Sequence, residues 1–243
     1  MRRLKRAGWR AGRKYGQLRK LWLRRTRRGW ILVGAVMLAL AIGVNLALVW
    51  LPPIWNWVAG AITGALFAMF VVARDTPPGY IEQWQLGGWA EERTERVLRP
   101  LECEGWQVRH DLAAAHGEGN LDHVVIGPGG VFLLDSKRFL GEVFVEGDRA
   151  TVRRLEDPGL SYPYDAAKRL IPLAMQVRDR LRTGTRASQY VRAIVVVWAE
   201  FPQKVAGNRC TYVHGDHLAT WLRQEPQRVA PERVAQFADA LRA

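Results

Sequence analysis

Only two cysteines, Cys103 and Cys210, occur in the 243 residues, far apart and in no framework spacing. That excludes a disulfide scaffold and a cysteine-built zinc site, and it suits a reducing compartment. No internal repeat and no low-complexity tract is evident beyond a basic N-terminus, so solenoids and propellers are excluded as well. Acidic residues are absent from residues 1–29, where 13 of the 36 Lys and Arg sit. The remainder carries 23 charges of each sign, so the whole net charge of +13 belongs to the N-terminal arm. The globular part therefore shows no sequence-level basic stripe for tracking a phosphate backbone. Charge of either sign is missing from Trp30–Leu51 and from Ile54–Ala73.

Those two runs are each about 20 residues long, enough at 1.5 Å per residue to cross a ~30 Å hydrocarbon core. Pro52-Pro53 breaks any continuous helix between them. Residues 30–73 are thus expected to form a transmembrane helical hairpin, with spans 30–51 and 54–73. Trp30 marks one edge, and Trp50, Trp55 and Trp57 gather at the other, as aromatic belts do. A cleaved signal peptide fits less well, because a second apolar run follows without a small-residue cleavage site. A buried soluble hairpin fits less well too, since uncharged runs of this length are rare in soluble domains.

The positive-inside rule places the arm, residues 1–29, in the cytoplasm, and two crossings return the rest there. The expectation is an integral membrane protein with both termini cytoplasmic. The arm's basic residues suit anionic lipid headgroups, with Trp9, Tyr15 and Trp22 at the interface. The same aromatics would equally suit nucleic-acid stacking. No ionisable residue lies within either span, which speaks against a channel or transporter.

Residues 74–82, with Asp75-Thr-Pro-Pro-Gly79, read as a linker, and about 165 residues remain, ample for one domain. A helix is expected from about Gln83 to Leu101, with Leu86, Ala90, Val97, Leu98 and Leu101 as its apolar stripe. Trp106–His110 reads as a strand and Asp111–Asn120 as a loop. Strands are expected at Gly141–Val145 and Ala150–Leu155, about Gly147-Asp148. A helix follows from about Asp165 to Arg182, bent or interrupted by Pro172. Val191–Trp198 reads as a central strand. Asp216 is expected to cap a helix through Arg223, and Pro231 to open a last helix at its first position. The fold class is α/β, with a mixed sheet flanked by helices.

The middle of the domain, Leu121–Lys137, reads LDHVVIGPGGVFLLDSK. Two apolar, β-branched runs flank Gly127-Pro128-Gly129-Gly130, a hairpin signal: proline fixes one φ and glycines accept positive ones. The tetrad is no phosphate loop, since neither a following helix nor Lys-Ser/Thr accompanies it. If Ile126 faces Val131, the register sets Asp122 opposite Asp135, with Lys137 on the face of Asp135. Opposed Cβ atoms lie about 5 Å apart, so both carboxylates could reach one cation. Strand ends with a neutralising lysine are the bland alternative. Both hairpin faces are apolar, however, and buried strands do not carry three ionisable groups cheaply. His123 falls opposite Leu134 on the other face, which suits a hydrogen-bonded core residue better than a general base. His214 and His217 read as a loop-to-helix junction rather than a metal site. His116 and Glu118 lie in the loop just before the acids, within reach of a substrate.

Gly87–Glu91 (GGWAE), the LDHVVIGPGGVFLLDSK segment and Gly141-Glu142-Val143 together resemble the nuclease-related domain, NERD. That family is similar to the restriction-endonuclease-like PD-(D/E)xK superfamily. The resemblance spans roughly residues 85–200, within a domain placed at 83–200; residues 201–243 are expected to be a helical extension packed on it. It implies that Glu91 is the helix acid, Asp122 the first sheet acid, and Asp135 with Lys137 the D-x-K pair. The chain departs from the family at Asp135, where Glu is common, and at Ala90, where glycine is usual. Where the family has Gln early in the next helix, this chain has Ala166-Ala167-Lys168.

The implied chemistry is Mg²⁺-dependent hydrolysis of DNA or RNA phosphodiesters, with Mn²⁺ as a substitute. Asp122, Asp135, the Ser136 carbonyl and Glu91 would be the ligands, and hard oxygen donors suit Mg²⁺. Lys137 would orient the attacking water or stabilise developing charge. The competing reading is a catalytically inactive, membrane-tethered nucleic-acid-binding or scaffold module.

Overall fold

The computed structural model describes residues 9–47, 50, 52–114, 120–155, 157 and 159–241. They divide into two compact units, one of Arg13–Trp84 and the other of Gln85–Ala243 together with the residues before Arg13.

The first unit is built on α1 (Trp9–Ala47) and α2 (Pro53–Asp75). Helix α1 runs without a break from the basic arm into the first apolar run, so the described part of the arm is helical. Pro53 occupies the first turn of α2, where its missing N–H costs nothing and its φ is already helical. The Trp30 and Phe70 rings meet edge-on at 5.6 Å. A Cβ on Gly34 would stand 3.4 Å from the Phe70 ring, an ordinary van der Waals contact. Asn45 and Thr63 each hydrogen-bond the carbonyl one turn back, Ala41 and Ala59, at 2.8 Å, which satisfies them without water. Both helices are long and apolar enough to cross a membrane, and almost none of that apolar surface is buried in the protein. The linker is shorter than expected: only Thr76–Pro78 are non-helical. Helix α3 (Gly79–Cys103) starts early, because the Pro78 carbonyl already accepts from Ile81 and Glu82.

The second unit is an eight-stranded mixed sheet in the order β1-β2-β3-β6-β8-β7, with β4 on β3 and β5 on β4. Strands β1 (Gln107–Ala113), β2 (Asn120–Gly127) and β3 (Gly130–Glu146) form an antiparallel meander. Here β1 runs on where a loop from Asp111 was expected, since Leu112 and Ala113 still pair with Leu121 and Asn120. Residues 115–119, including His116 and Glu118, lie outside the described residues.

Strand β3 is one continuous 17-residue strand, not two. Its first half pairs in parallel with β6 (Val191–Glu200) and its second half antiparallel with β4 (Arg149–Arg154). Gly141 permits this: a Cβ there would stand 2.1 Å from the Arg153 carbonyl oxygen. Strand β5 (Ser161–Tyr164) was not expected; Pro163 confines it to an edge.

Helix α4 (Ala167–Thr185) continues through Pro172. Its buried face of Leu170, Leu173, Ala174, Val177 and Leu181 holds it to the sheet despite the lost hydrogen bond. The last forty residues are not only helical. They add β7 (Val205–Ala206) and β8 (Cys210–His214), and β8 pairs in parallel with β6 inside the sheet. Asp216 does not cap α5 (Leu218–Gln224): a short 3-10 turn precedes it, and the His214 ring accepts the Asp216 amide at 3.2 Å. Pro231 does open α6 (Pro231–Ala240).

Helices α4 and α6 cover one face of the sheet, over Val124, Ile126, Val131 and Leu133. Helices α3 and α5 cover the other, over Val125, Phe132 and Leu134. Alternation along β3 thus decides which layer each polar residue meets.

Candidate active site

The central hairpin has the register that its turn predicts. Ile126 pairs with Val131 and His123 with Leu134. One step further, the Asp122 carboxylate accepts the Ser136 amide at 3.0 Å, so the acid itself is tied to the opposite strand. On β3, Asp135 is buried, at 5% exposure. Its Oδ1 accepts Lys137 Nζ at 2.8 Å and pairs with Arg169 at 2.6 Å. The Tyr164 hydroxyl donates to its Oδ2 at 3.4 Å. Asp122, Asp135 and Lys137 thus form one cluster.

Burial pushes the Asp122 carboxyl well above the usual carboxylate range, and the charges of Asp135 and Glu91 add to it. Lys137 and the Ser136 amide pull the other way. Glu91, on α3, is thus an electrostatic neighbour of the acids. Burial, with the Asp135 charge beside it, also raises the Tyr164 phenol, which keeps its proton.

Residues 86–198 match the family model of the nuclease-related domain, NERD. The chain carries a nuclease-related domain. No curated protein and no solved structure matched it.

The NERD match ends at Trp198, yet β8 and the last two helices complete the sheet and its layers. Within the NERD region the sheet acids and the lysine stand together. Among the described residues, however, no three His, Cys, Asp or Glu side chains are gathered closely enough to hold a metal ion by themselves. Glu91 does not close such a set. Asp135 Oδ1 is engaged by Lys137 and Arg169, and Asp122 Oδ2 by the Ser136 amide. Two adjacent carboxylates, one favouring its proton, still fit a hard cation, whose charge would relieve their repulsion.

Two residues that sequence reasoning passed over belong to the site. Arg169 sits in the first turn of α4, beside the place where the resemblance called for a glutamine. Tyr164 comes from the unexpected strand β5. Ser136 has a further role: its hydroxyl donates to Thr94 Oγ1 at 2.8 Å, on the α3 side of the sheet. His123 is a core residue, wholly buried and bonded to His110, Nδ1 to Nδ1, at 2.7 Å.

Proposed function

We propose that the chain is a membrane-anchored nuclease whose NERD domain hydrolyses phosphodiester bonds of DNA or RNA with Mg²⁺. The observation that carries this reading is the pair of half-buried Asp122 and buried Asp135, with Lys137 and Arg169 at one carboxylate oxygen of Asp135. Asp122 and Asp135, with the Ser136 carbonyl, are the residues that would hold the ion, and Glu91 adds its charge from α3 without completing the set. Bound there, Mg²⁺ would supply Lewis-acid polarisation of the phosphate and a more acidic water. The chain's own part is positioning and charge. Lys137 and Arg169, with side chains 31% and 55% exposed, can meet a phosphate and stabilise charge developing on it. Tyr164, which keeps its proton, holds Asp135 in place from its other oxygen.

The test is nucleic-acid cleavage by the full chain with Mg²⁺ and with EDTA, beside thermal stability across pH. Asp122 has a raised pKa, so its stabilising contribution in EDTA is present below the ordinary Asp range and lost as pH rises through the raised value. Mg²⁺ binds the ionised form and should restore stability by mass action, increasingly so at higher pH. Cleavage that persists in EDTA, or a melting temperature indifferent to Mg²⁺ at every pH, counts against the reading.

The two apolar helices would insert as a hairpin, with the basic arm on anionic headgroups and both termini in the cytoplasm. A reporter fused after Ala243 should be active only as a cytoplasmic fusion. Activity outside the cytoplasm would reject this topology.

A further inference from the structure

Strand β3 leaves β6 just beyond the acids. Their parallel pairing holds as far as Arg138 with Trp198, shifts register, and resumes only at Glu142 with Glu200. The parting opens a groove of about 470 Å³ at the carboxyl ends of β6 and β8, beside the middle of β3, lined by Trp89, Arg93, Arg138, Leu140, Leu155 and Trp198 among others. Carboxyl ends of parallel strands are where open α/β sheets hold ligands.

The groove has a definite chemistry. The Arg93 and Arg138 guanidinium groups lie 5.2 and 4.8 Å from the centre of the Trp89 ring, and Arg93 also lies 4.4 Å from that of Trp198. Asp216 engages Arg93 at 3.2 Å. Arg138 is exposed and makes no ion pair among the described residues. Leu140 and Leu155, 65% and 66% exposed, add apolar walls. Glu200, also in the lining, is exposed at the rim, where solvent screens its repulsion of an anion. A flat guanidinium beside an indole can stack another flat ring and turn its N–H edge to a phosphate. Such a site fits a nucleotide whose base is unpaired; a duplex keeps its base faces stacked on one another.

The groove opens on the α3 side of the sheet, while Asp135 faces α4, but it stands close to the acids along the strand. Arg138 follows Lys137 and stands three residues, about 10 Å along the strand, from Asp135. We propose that this groove stacks an unpaired base of a single-stranded nucleic acid and so holds the strand at the end of the sheet where the acids stand. The proposal rests on the nuclease reading for its use, but the binding can be measured apart from cleavage.

The experiment uses the full chain in detergent micelles, in EDTA so that nothing is cut, and in salt high enough to suppress the basic arm. Fluorescence anisotropy compares a short labelled single strand with the blunt duplex of the same sequence. Wild type should favour the single strand, and Arg138→Ala should lose about tenfold on it with duplex binding unchanged. Arg138→Lys, which keeps the charge without the plane, should also lose the preference. Equal affinity of the wild type for both probes overturns the proposal. So does equal weakening on both probes in Arg138→Ala, which would make Arg138 a phosphate contact only. A single-strand preference that depends on Arg138, with no cleavage once Mg²⁺ is added, upholds the groove and sinks the nuclease reading.

Discussion

Asp135→Asn should lower Mg²⁺-dependent cleavage by about 10³-fold or more while leaving the protein folded. The substitution removes one charge at almost constant volume, and several effects fall together on that one oxygen pair. The acid pair drops to a single carboxylate, so its attraction for a divalent ion falls. Lys137 and Arg169, both held by Asp135 Oδ1, lose the group that fixes their position. Two cations without their anion would be costly if sealed in. Their side chains are 31% and 55% exposed, however, and can turn to water. The loss of stability should therefore stay within about 2 kcal/mol, below that of a fully buried pair. The two readouts separate the alternatives. Lost cleavage with an unchanged circular-dichroism spectrum and a melting temperature no longer raised by Mg²⁺ supports a metal-binding acid. Full activity in Asp135→Asn would mean that the pair is structural and cleavage arises elsewhere, whereas no cleavage by the wild type would leave the scaffold reading.

The parts of this site that were legible in the sequence are the local ones. The Gly127–Gly130 turn sets the register of β2 on β3, and alternation then carries the two acids and Lys137 to one side. Nothing beyond a few neighbouring residues enters that deduction. Arg169 and Tyr164 were not legible because they reach Asp135 from α4 and from an edge strand containing Pro163. Their positions depend on how β4 folds back and where α4 packs, which a hydrophobic pattern does not specify. The same limit hid β8. Cys210–His214 is a short run in a loop-like context, and only its parallel pairing with β6 makes it a strand. Pro172 was expected to bend or interrupt α4, and it does not interrupt it, because the buried face of the helix holds it to the sheet. The two long apolar helices were legible from composition alone, since length and lack of charge are one-dimensional properties.

Thr94 shows how such non-local contacts fix the geometry of the acids, and Thr94→Val should be among the most destabilising substitutions in the domain. The residue is wholly buried on α3, facing the sheet. A hydroxyl has one proton and two lone pairs. Thr94 uses all three: it donates to the Ala90 carbonyl at 3.0 Å and accepts from Ser136 Oγ at 2.8 Å and from Trp198 Nε1 at 2.9 Å. Valine has nearly the same shape but no hydroxyl. It would leave the Ser136 hydroxyl and the Trp198 indole N–H buried without their partner. At about 1–3 kcal/mol for each orphaned group, the loss is about 2–6 kcal/mol, or roughly 10 °C in melting temperature. Activity should fall beyond what unfolding explains, because Ser136 lies between Asp135 and Lys137 and its amide holds Asp122. Glu91 rides on the same helix, one turn before Thr94. Thr94→Ser keeps the hydroxyl and loses only a methyl group, so it should recover most of both properties. Equal damage from valine and serine would show that the methyl's packing, not the hydrogen-bonded junction, carries the effect. Stability lost in Thr94→Val with the cleavage rate of the folded fraction unchanged would show that the junction holds α3 to the sheet without setting the acids.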